Sequence, residues 1–567
     1  MPNEATARLK LTVTDDAGRP CPFRAEWGEP LRVERVWSGT GEAEIETAPG
    51  RTSLLVRRGI HYDAAALDVD LRACEAVARE VTLRQRFDPR AMGWYGGESH
   101  MHVLHGRDDP PRTIADGGPM AAADGLDYLQ LCSAWEPTFG WPAPDELDRQ
   151  CAAASTPHTV VGWNLETPKC YFGEDHGGRK GNLHCFGHGW TVGLRDISRG
   201  RAFFRTPPNF RIIQEVHRQG GIVGCAHPMR ASFGHGGNFI SNWASELPFD
   251  FVAGVPYDTL DILNDSPLLF FESERLWYTL LNLGYKVAGT GNSDGALGTT
   301  RGLGRYRTYT RIDGAFSWEA LAEAMRAGRN VATSGPFVLF EADGEPPGAE
   351  FAADGTPRRA TIRAWSGPLP GETLTAVQLV RNGEVIRAWD LHAENAREWE
   401  TTLELADDEF AWYCVRALSL SRDPASVALW GDRLYEAAVA NPVYFLPDGF
   451  ERPRPAPARV SLRVTDETGA PVAATVSVHD GAGEIARHEV PASGEATLAT
   501  PGTASLIIEA PGCEPAVRNL FMDCPELHDY IRNIGLVWPS FFSPETYRVL
   551  RQRLGGLKLS VALKRRG

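Results

Sequence analysis

The chain has 567 residues, with 58 Lys+Arg against 73 Asp+Glu, a net charge of −15 and a pI near 5.5. That balance argues against nucleic acid or an anionic membrane as a partner, because phosphate neutralisation needs a basic face. Hydrophobic residues at 43% and charged residues at 23% are those of a globular protein, and a chain of this length exceeds what one core usually serves, so several domains are expected.

The N-terminus, Met1-Pro2-Asn3-Glu4, has no basic region followed by an apolar one, and no stretch is apolar enough to span a bilayer. A cytoplasmic protein is the expectation. The ten cysteines are scattered without a CxxC pair, which fits reduced, buried thiols. Residues 1–90 read as a β-sandwich, because short β-branched runs such as TSLLVRRG alternate with Asp/Gly turns. Between 91 and 335 apolar runs alternate with helical stretches such as Phe210 to Gln219 and Trp318 to Gly328, which implies an α/β layer or barrel. Residues 336–447 return to strand and turn signals, with AVQLV, the Asn382-Gly383 turn and EVIRAW forming a hairpin signature. A Pro-rich linker at 448–458 precedes a last β-sandwich at 459–567. Leu9 to Pro20 and Val460 to Pro471 agree at six of twelve positions, so the two terminal domains read as relatives. In the last one, SPETYRVLRQRL predicts a helix capped by Ser543 with Pro544 at its first position.

Chemistry concentrates in the α/β region, where ten of the fifteen histidines fall between 100 and 235. His100 and His102 lie two apart in GWYGGESHMH, and in a strand such residues project from one face, so both imidazoles can reach one ion. Other predicted strands end on ligand types: PHTVVGWNL at Glu166, GGIVGCA at His227 and YKVAGTGNS at Asp294. Functional groups gather at strand ends in parallel α/β barrels. The plain alternative is that His100 and His102 are satisfied on a strand face, that Glu166 and Asp294 cap the segments after them, and that His227 fills a turn before Pro228.

The run GWYGGESHMH, the strand ending in Glu166, the HCFG after Leu183, GGIVGCAHP, and LWYTLLNLGYKVAGTGNSD with AMRAGRNVATSGP together resemble the PHP metallohydrolase superfamily, in particular its carbaryl-hydrolase-like (CehA/McbA) branch. The resemblance covers about residues 90 to 447 and implies a distorted (β/α)7 PHP-type barrel, so the fold expected is α/β, that barrel flanked by the β-sandwich domains read above at both ends. It implies a divalent metal, zinc first and manganese or iron next, on His100, His102, Glu166, His227 and Asp294, with Asp294 and His184 as catalytic candidates. The expected activity is hydrolysis of an ester, carbamate or amide-type bond in a small-molecule substrate by metal-activated water. A phosphoesterase, or a non-catalytic binding protein with a degenerate metal site, is the alternative. Departures from the family are Glu98-Ser99 before the first ligand pair, Ser133-Ala134-Trp135 in place of Asp-His, and Asp294-Gly295-Ala296 in place of Asp-x-His. The two lost histidines predict a single ion rather than a cluster.

Substrate contacts are expected from Arg305, in RGLGRYRTYTR, by a bidentate fork, from His188 in its Gly-rich stretch, and from Trp135 as part of an aromatic wall. The alternatives are a solvated strand face for the arginine and ordinary core for the tryptophan. No nucleophile elbow or P-loop is present, no nucleic-acid or membrane partner is expected, and a homo-oligomer is left open.

Overall fold

The computed structural model describes residues 6–29, 32–103, 112–133, 143–166, 189–193, 209–230, 241–242, 246–264, 270–298, 303–423, 435–534 and 543–566. The chain divides into two compact units, the first comprising Met1–Glu166, Thr259–Phe270 and Val287–Phe450, the second Thr167–Asp258, Phe271–Lys286 and Glu451–Gly567.

The first unit opens with a β-sandwich. One sheet has the order Glu42–Thr47, Ala7–Asp15, Ala76–Leu83, and the other Arg32–Ser38, Phe23–Glu29, Gly50–Arg57, Ala65–Leu71. The Ala7–Asp15 strand alternates buried and open positions, and Leu9, Leu11 and Val13 enter the core with Phe23 and Val56. Phe23–Glu29 also carries charge inward. Glu26 is bound by Arg35 at 2.7 Å, Arg57 at 3.0 Å and Arg24 at 3.3 Å. Arg24 in turn reaches Asp124, which also accepts from Trp37 Nε1 at 3.1 Å. Asp124 ends the helix Ile114–Ala123, so a buried ion network ties the sandwich to the α/β layer, and every member depends on the others for its counter-charge.

The main sheet of this unit corrects the expected barrel. Val160–Leu165, Tyr128–Ser133 and Trp94–His102 are parallel neighbours, but the next strand, Arg307–Arg311, is antiparallel. From it the sheet runs through Asn330–Thr333 to Tyr435–Leu446, Ala411–Leu420, Leu374–Arg381 and Glu384–Asp390. It is one mixed sheet entering the following sandwich, not a (β/α)7 ring of parallel strands. Helices are also too few for one per strand: among the described residues of this unit the α-helices are Ile114–Ala123, Pro144–Ala154 and Trp318–Ala327.

The physical reason lies at the strand Ala288–Gly291, which pairs in parallel with Thr259–Leu263. Its other contacts to the main sheet are made by side chains. Asn441 accepts from Gly289 N at 2.6 Å and donates to Gly289 O at 2.8 Å, and Thr308 Oγ1 accepts from Gly291 N at 2.9 Å. An amide and a hydroxyl satisfy the backbone groups that a closing ladder would have used.

Phe337–Ala342, Arg358–Trp365 and Glu398–Leu405 form the facing sheet of the sandwich, with Phe337, Phe340, Ile362 and Phe445 in its core. The Asn382-Gly383 hairpin forms as expected, both residues having positive φ (50° and 90°), as a two-residue turn of this twist demands.

In the second unit, Gly189–Val192 and Ile222–Cys225 are antiparallel. Its C-terminal sandwich has sheets ordered Glu495–Pro501, Pro457–Asp466, Leu557–Leu563 and Glu484–Val490, Ala474–His479, Ser505–Glu509, Ala516–Asn519. Taken in chain order these are the positions of the N-terminal sandwich strands, and the bridges Thr14 to Pro20 and Thr465 to Pro471 are equivalent. The helix Pro544–Leu554 forms with Ser543 accepting from Glu545 N. No described helix is long and apolar enough to cross a membrane.

Candidate metal centre

The strand Trp94–His102 is buried along nearly its whole length, and its end carries His100 and His102, 0% and 4% exposed. His100 Nε2 lies 3.6 Å from Glu166 Oε1 and 3.4 Å from Asp294 Oδ1. His102 Nε2 lies 3.6 Å from Glu166 Oε2 and 3.3 Å from the same Asp294 oxygen. One ligand atom from each of His100, Glu166 and Asp294 falls within 4.8 Å of the others. Two imidazoles and two carboxylates thus converge in a volume closed to solvent.

Each member is placed by a local device. Glu166 directly follows Val160–Leu165, two strands away in the same sheet. Asp294 has φ 45°, a left-handed conformation that Asp tolerates better than most side chains. Its N–H donates to His100 O at 3.1 Å, Gly295 and Ala296 then pair with Met101 and His102, and Leu297 N donates to His102 O at 3.0 Å. Glu98 clamps the same loop: its two oxygens accept from Ser293 N at 2.6 Å and Gly304 N at 2.8 Å. Burial pushes the Glu98 carboxyl up to about 8, against those two donors. Asn292 adds a third tie, accepting from Ser99 N at 2.7 Å.

Asp261, which the sequence reading did not select, stands behind His100. Its Oδ1 accepts from Asn292 Nδ2 at 2.7 Å and Thr290 Oγ1 at 2.9 Å, and its Oδ2 is 4.0 Å from His100 Nδ1. That approach is too long for a hydrogen bond but orients the ring electrostatically, as outer carboxylates do for ligand histidines. The signal was present in sequence: Asp261 is the single charge in the fully buried strand Thr259–Leu263. Burial alone would lower the pKa of His100, yet Asp294, Asp261 and Glu166 overcome it and hold it well above the ordinary value. The site therefore favours positive charge. Cys132 is nearby and buried, and burial with the Glu166 and Asp294 charges raises its thiol well above the usual range, so it stays protonated.

His227 belongs to the second unit, where it follows the strand Ile222–Cys225, buried and with φ 26°. Arg305 places its guanidinium 5.6 Å from the centre of the Tyr306 ring and feels Asp423 and Glu436. His184, His188 and Trp135 lie outside the described residues.

No family model and no curated protein matches the chain. Among solved structures, the major pilin subunit BcpA of Bacillus cereus is 8% identical over 41% of this chain and 72% of its own, with a TM-score of 0.13. The TIE protein of Bacillus anthracis is 7% identical over 99% and 51%, with a TM-score of 0.16. An adhesin of Mobiluncus mulieris is 12% identical over 31% and 81%, with a TM-score of 0.12. Likenesses at these scores carry no argument. They bear neither on a hydrolase, a metal or a cytoplasmic location nor on the carbaryl-hydrolase-like resemblance, and of those expectations the β-sandwich is the one the fold contains. The chemistry of the centre rests on its own geometry.

Proposed function

We propose that His100, His102, Glu166 and Asp294 hold one divalent cation and that the protein is a metal-dependent hydrolase acting on an ester, carbamate or amide-type bond of a small molecule. The observation that supports this is the convergence of two imidazoles and two carboxylates, all nearly solvent-free, from residues spread over about 195 positions of chain. Buried carboxylates held together cost free energy unless a cation compensates them, and a mixed nitrogen and oxygen set suits zinc, manganese or iron. A bound ion would supply Lewis acidity, lowering the pKa of water and polarising the substrate carbonyl. The chain's own part is positional: Glu98 and Asn292 fix the loop of Asp294, Asp261 orients His100, and Asp294 or Glu166 can accept the proton released by water.

The test is a metal count on purified protein before and after reconstitution with zinc or manganese, together with turnover of aryl esters and carbamates. About one equivalent is expected, with His100→Ala reducing it severalfold and Asp294→Asn lowering kcat far more than it raises KM. Less than about a tenth of an equivalent, with no activity gained on reconstitution, overturns the proposal and leaves a binding module.

A further inference from the structure

A second polar cavity, of about 250 Å³, lies in the first unit between the N-terminal sandwich and the α/β layer. Its walls include three arginines and three aspartates, but these do not cancel evenly. Arg19 is bound to Asp15 at 2.7 Å, and Arg90 to Asp127. Asp88 is solvent-exposed and caps Ala91 N at 3.1 Å. Arg58 is the cation left over, because no carboxylate among the described residues pairs with it. Its Nη1 meets Cys21 Sγ at 3.4 Å, its Nη2 lies 3.5 Å from His158 Nδ1, and its guanidinium sits 5.0 Å from the centre of the Tyr62 ring.

Two buried polar atoms on the same wall have no hydrogen-bond partner, Arg58 Nε and His61 Nδ1. A buried polar atom without a partner asks for an explanation, of which a bound ion or water is one, and among the residues lining this cavity these are the two such atoms. The field here is positive as well. Burial and the arginines Arg58, Arg307, Arg86 and Arg90 hold His61 well below its ordinary pKa, and burial with Arg58 and Arg90 lowers His158.

The internal repeat shows that these side chains are not a requirement of the sandwich. Arg24 pairs with Arg57 in the first copy, and Thr475 pairs with Glu509 in the second, so the place of Arg58 is taken by Ala510. The same strand end folds there without a cation.

We propose that this cavity binds a small oxyanion, the carboxylate or phosphate group of a ligand, through Arg58 Nε and the imidazole of His61. A guanidinium offers a planar pair of donors that fits either group, and the cavity is the size for the anionic group rather than a large ligand. The site is independent of the metal centre.

Calorimetric titration of metal-stripped full-length protein with inorganic phosphate, sulfate and acetate tests it, the three probes separating tetrahedral from planar anions. One equivalent of at least one anion is expected, with a Kd of about 1 mM or tighter. Arg58→Gln is expected to weaken binding at least about tenfold without changing the melting temperature in anion-free buffer, and His61→Asn to weaken it with Arg58 intact. His100→Ala should leave it unaltered. Absence of binding by the parent protein up to about 10 mM, or equal affinity in Arg58→Gln and the parent protein, would overturn the proposal.

Discussion

Glu98 is where the fold and the candidate centre are most tightly joined, and replacing it by Gln isolates that connection. Its two oxygens accept the Ser293 and Gly304 N–H groups, at 2.6 and 2.8 Å, with the side chain 0% exposed. A carboxyl accepts at both oxygens whether or not it holds its proton, whereas an amide nitrogen accepts at neither position. Glu98→Gln therefore preserves volume and leaves one backbone N–H facing another donor. An unsatisfied buried amide costs about 1–3 kcal/mol, equivalent to about 5- to 150-fold in a local opening equilibrium. Native-state hydrogen exchange read on the fragment 292–306 should accelerate by that factor, while exchange in the C-terminal sandwich stays constant. Exchange unchanged within about twofold in that fragment would show that Glu98 does not hold the loop of Asp294.

Gly97→Ala is expected to lower the melting temperature and the soluble yield. A Cβ there would sit 2.4 Å from Tyr128 Cγ, and that ring is fully buried against Phe316 and Trp318, so about 1–3 kcal/mol or more of overpacking is incurred. A parent-like melting curve would contradict the packing argument. Glu26 sets an acid limb. Burial would raise its pKa, but Arg24, Arg57 and Arg35 hold it down to about 2. Its stabilisation is complete above the unfolded value of about 4.3 and is lost as pH falls through about 2, of order 2–3 kcal/mol in total. In acid titrations followed by circular dichroism, Glu26→Gln should flatten the dependence between those two pH values, and an unchanged slope would refute the assignment.

What could be read from sequence was what is decided locally. The Asn382-Gly383 hairpin, the Ser543-capped helix and the twin strand-turn segments at Leu9 and Val460 depend on residues close in sequence, and the structure contains each of them. The α/β region was legible by element and not by neighbour. Arg307–Arg311 and Asn330–Thr333 look, residue by residue, like the strands of a parallel ring, because hydrophobic periodicity reports strand type but not direction. The antiparallel pairing of Arg307–Arg311 to Trp94–Gly97, and of the two strands to each other, is a non-local choice. The polar residues that meet the backbone of Ala288–Gly291, Asn441 and Thr308, are ordinary strand residues until their partners on Gly289 and Gly291 are known.

The candidate centre divides along the same line. His100 and His102 are visible because an i, i+2 pair must share a strand face, and Glu166 because it ends a strand. Asp294 was found for an incomplete reason, since its place is fixed less by the strand before it than by the one beside it. Trp94–His102 presents both imidazoles and also binds, through His100 O, Met101, His102 and His102 O, the segment that carries Asp294. The spacing between histidine and aspartate is therefore set inside one ladder, over a few ångströms of backbone, although almost 200 residues of chain separate them. A substitution that slips this pairing by one residue would turn Asp294 away from the imidazoles while leaving every ligand in the sequence. For this centre the integrity of the Gly295–Ala296 pairing is as much a condition of metal binding as the ligands themselves.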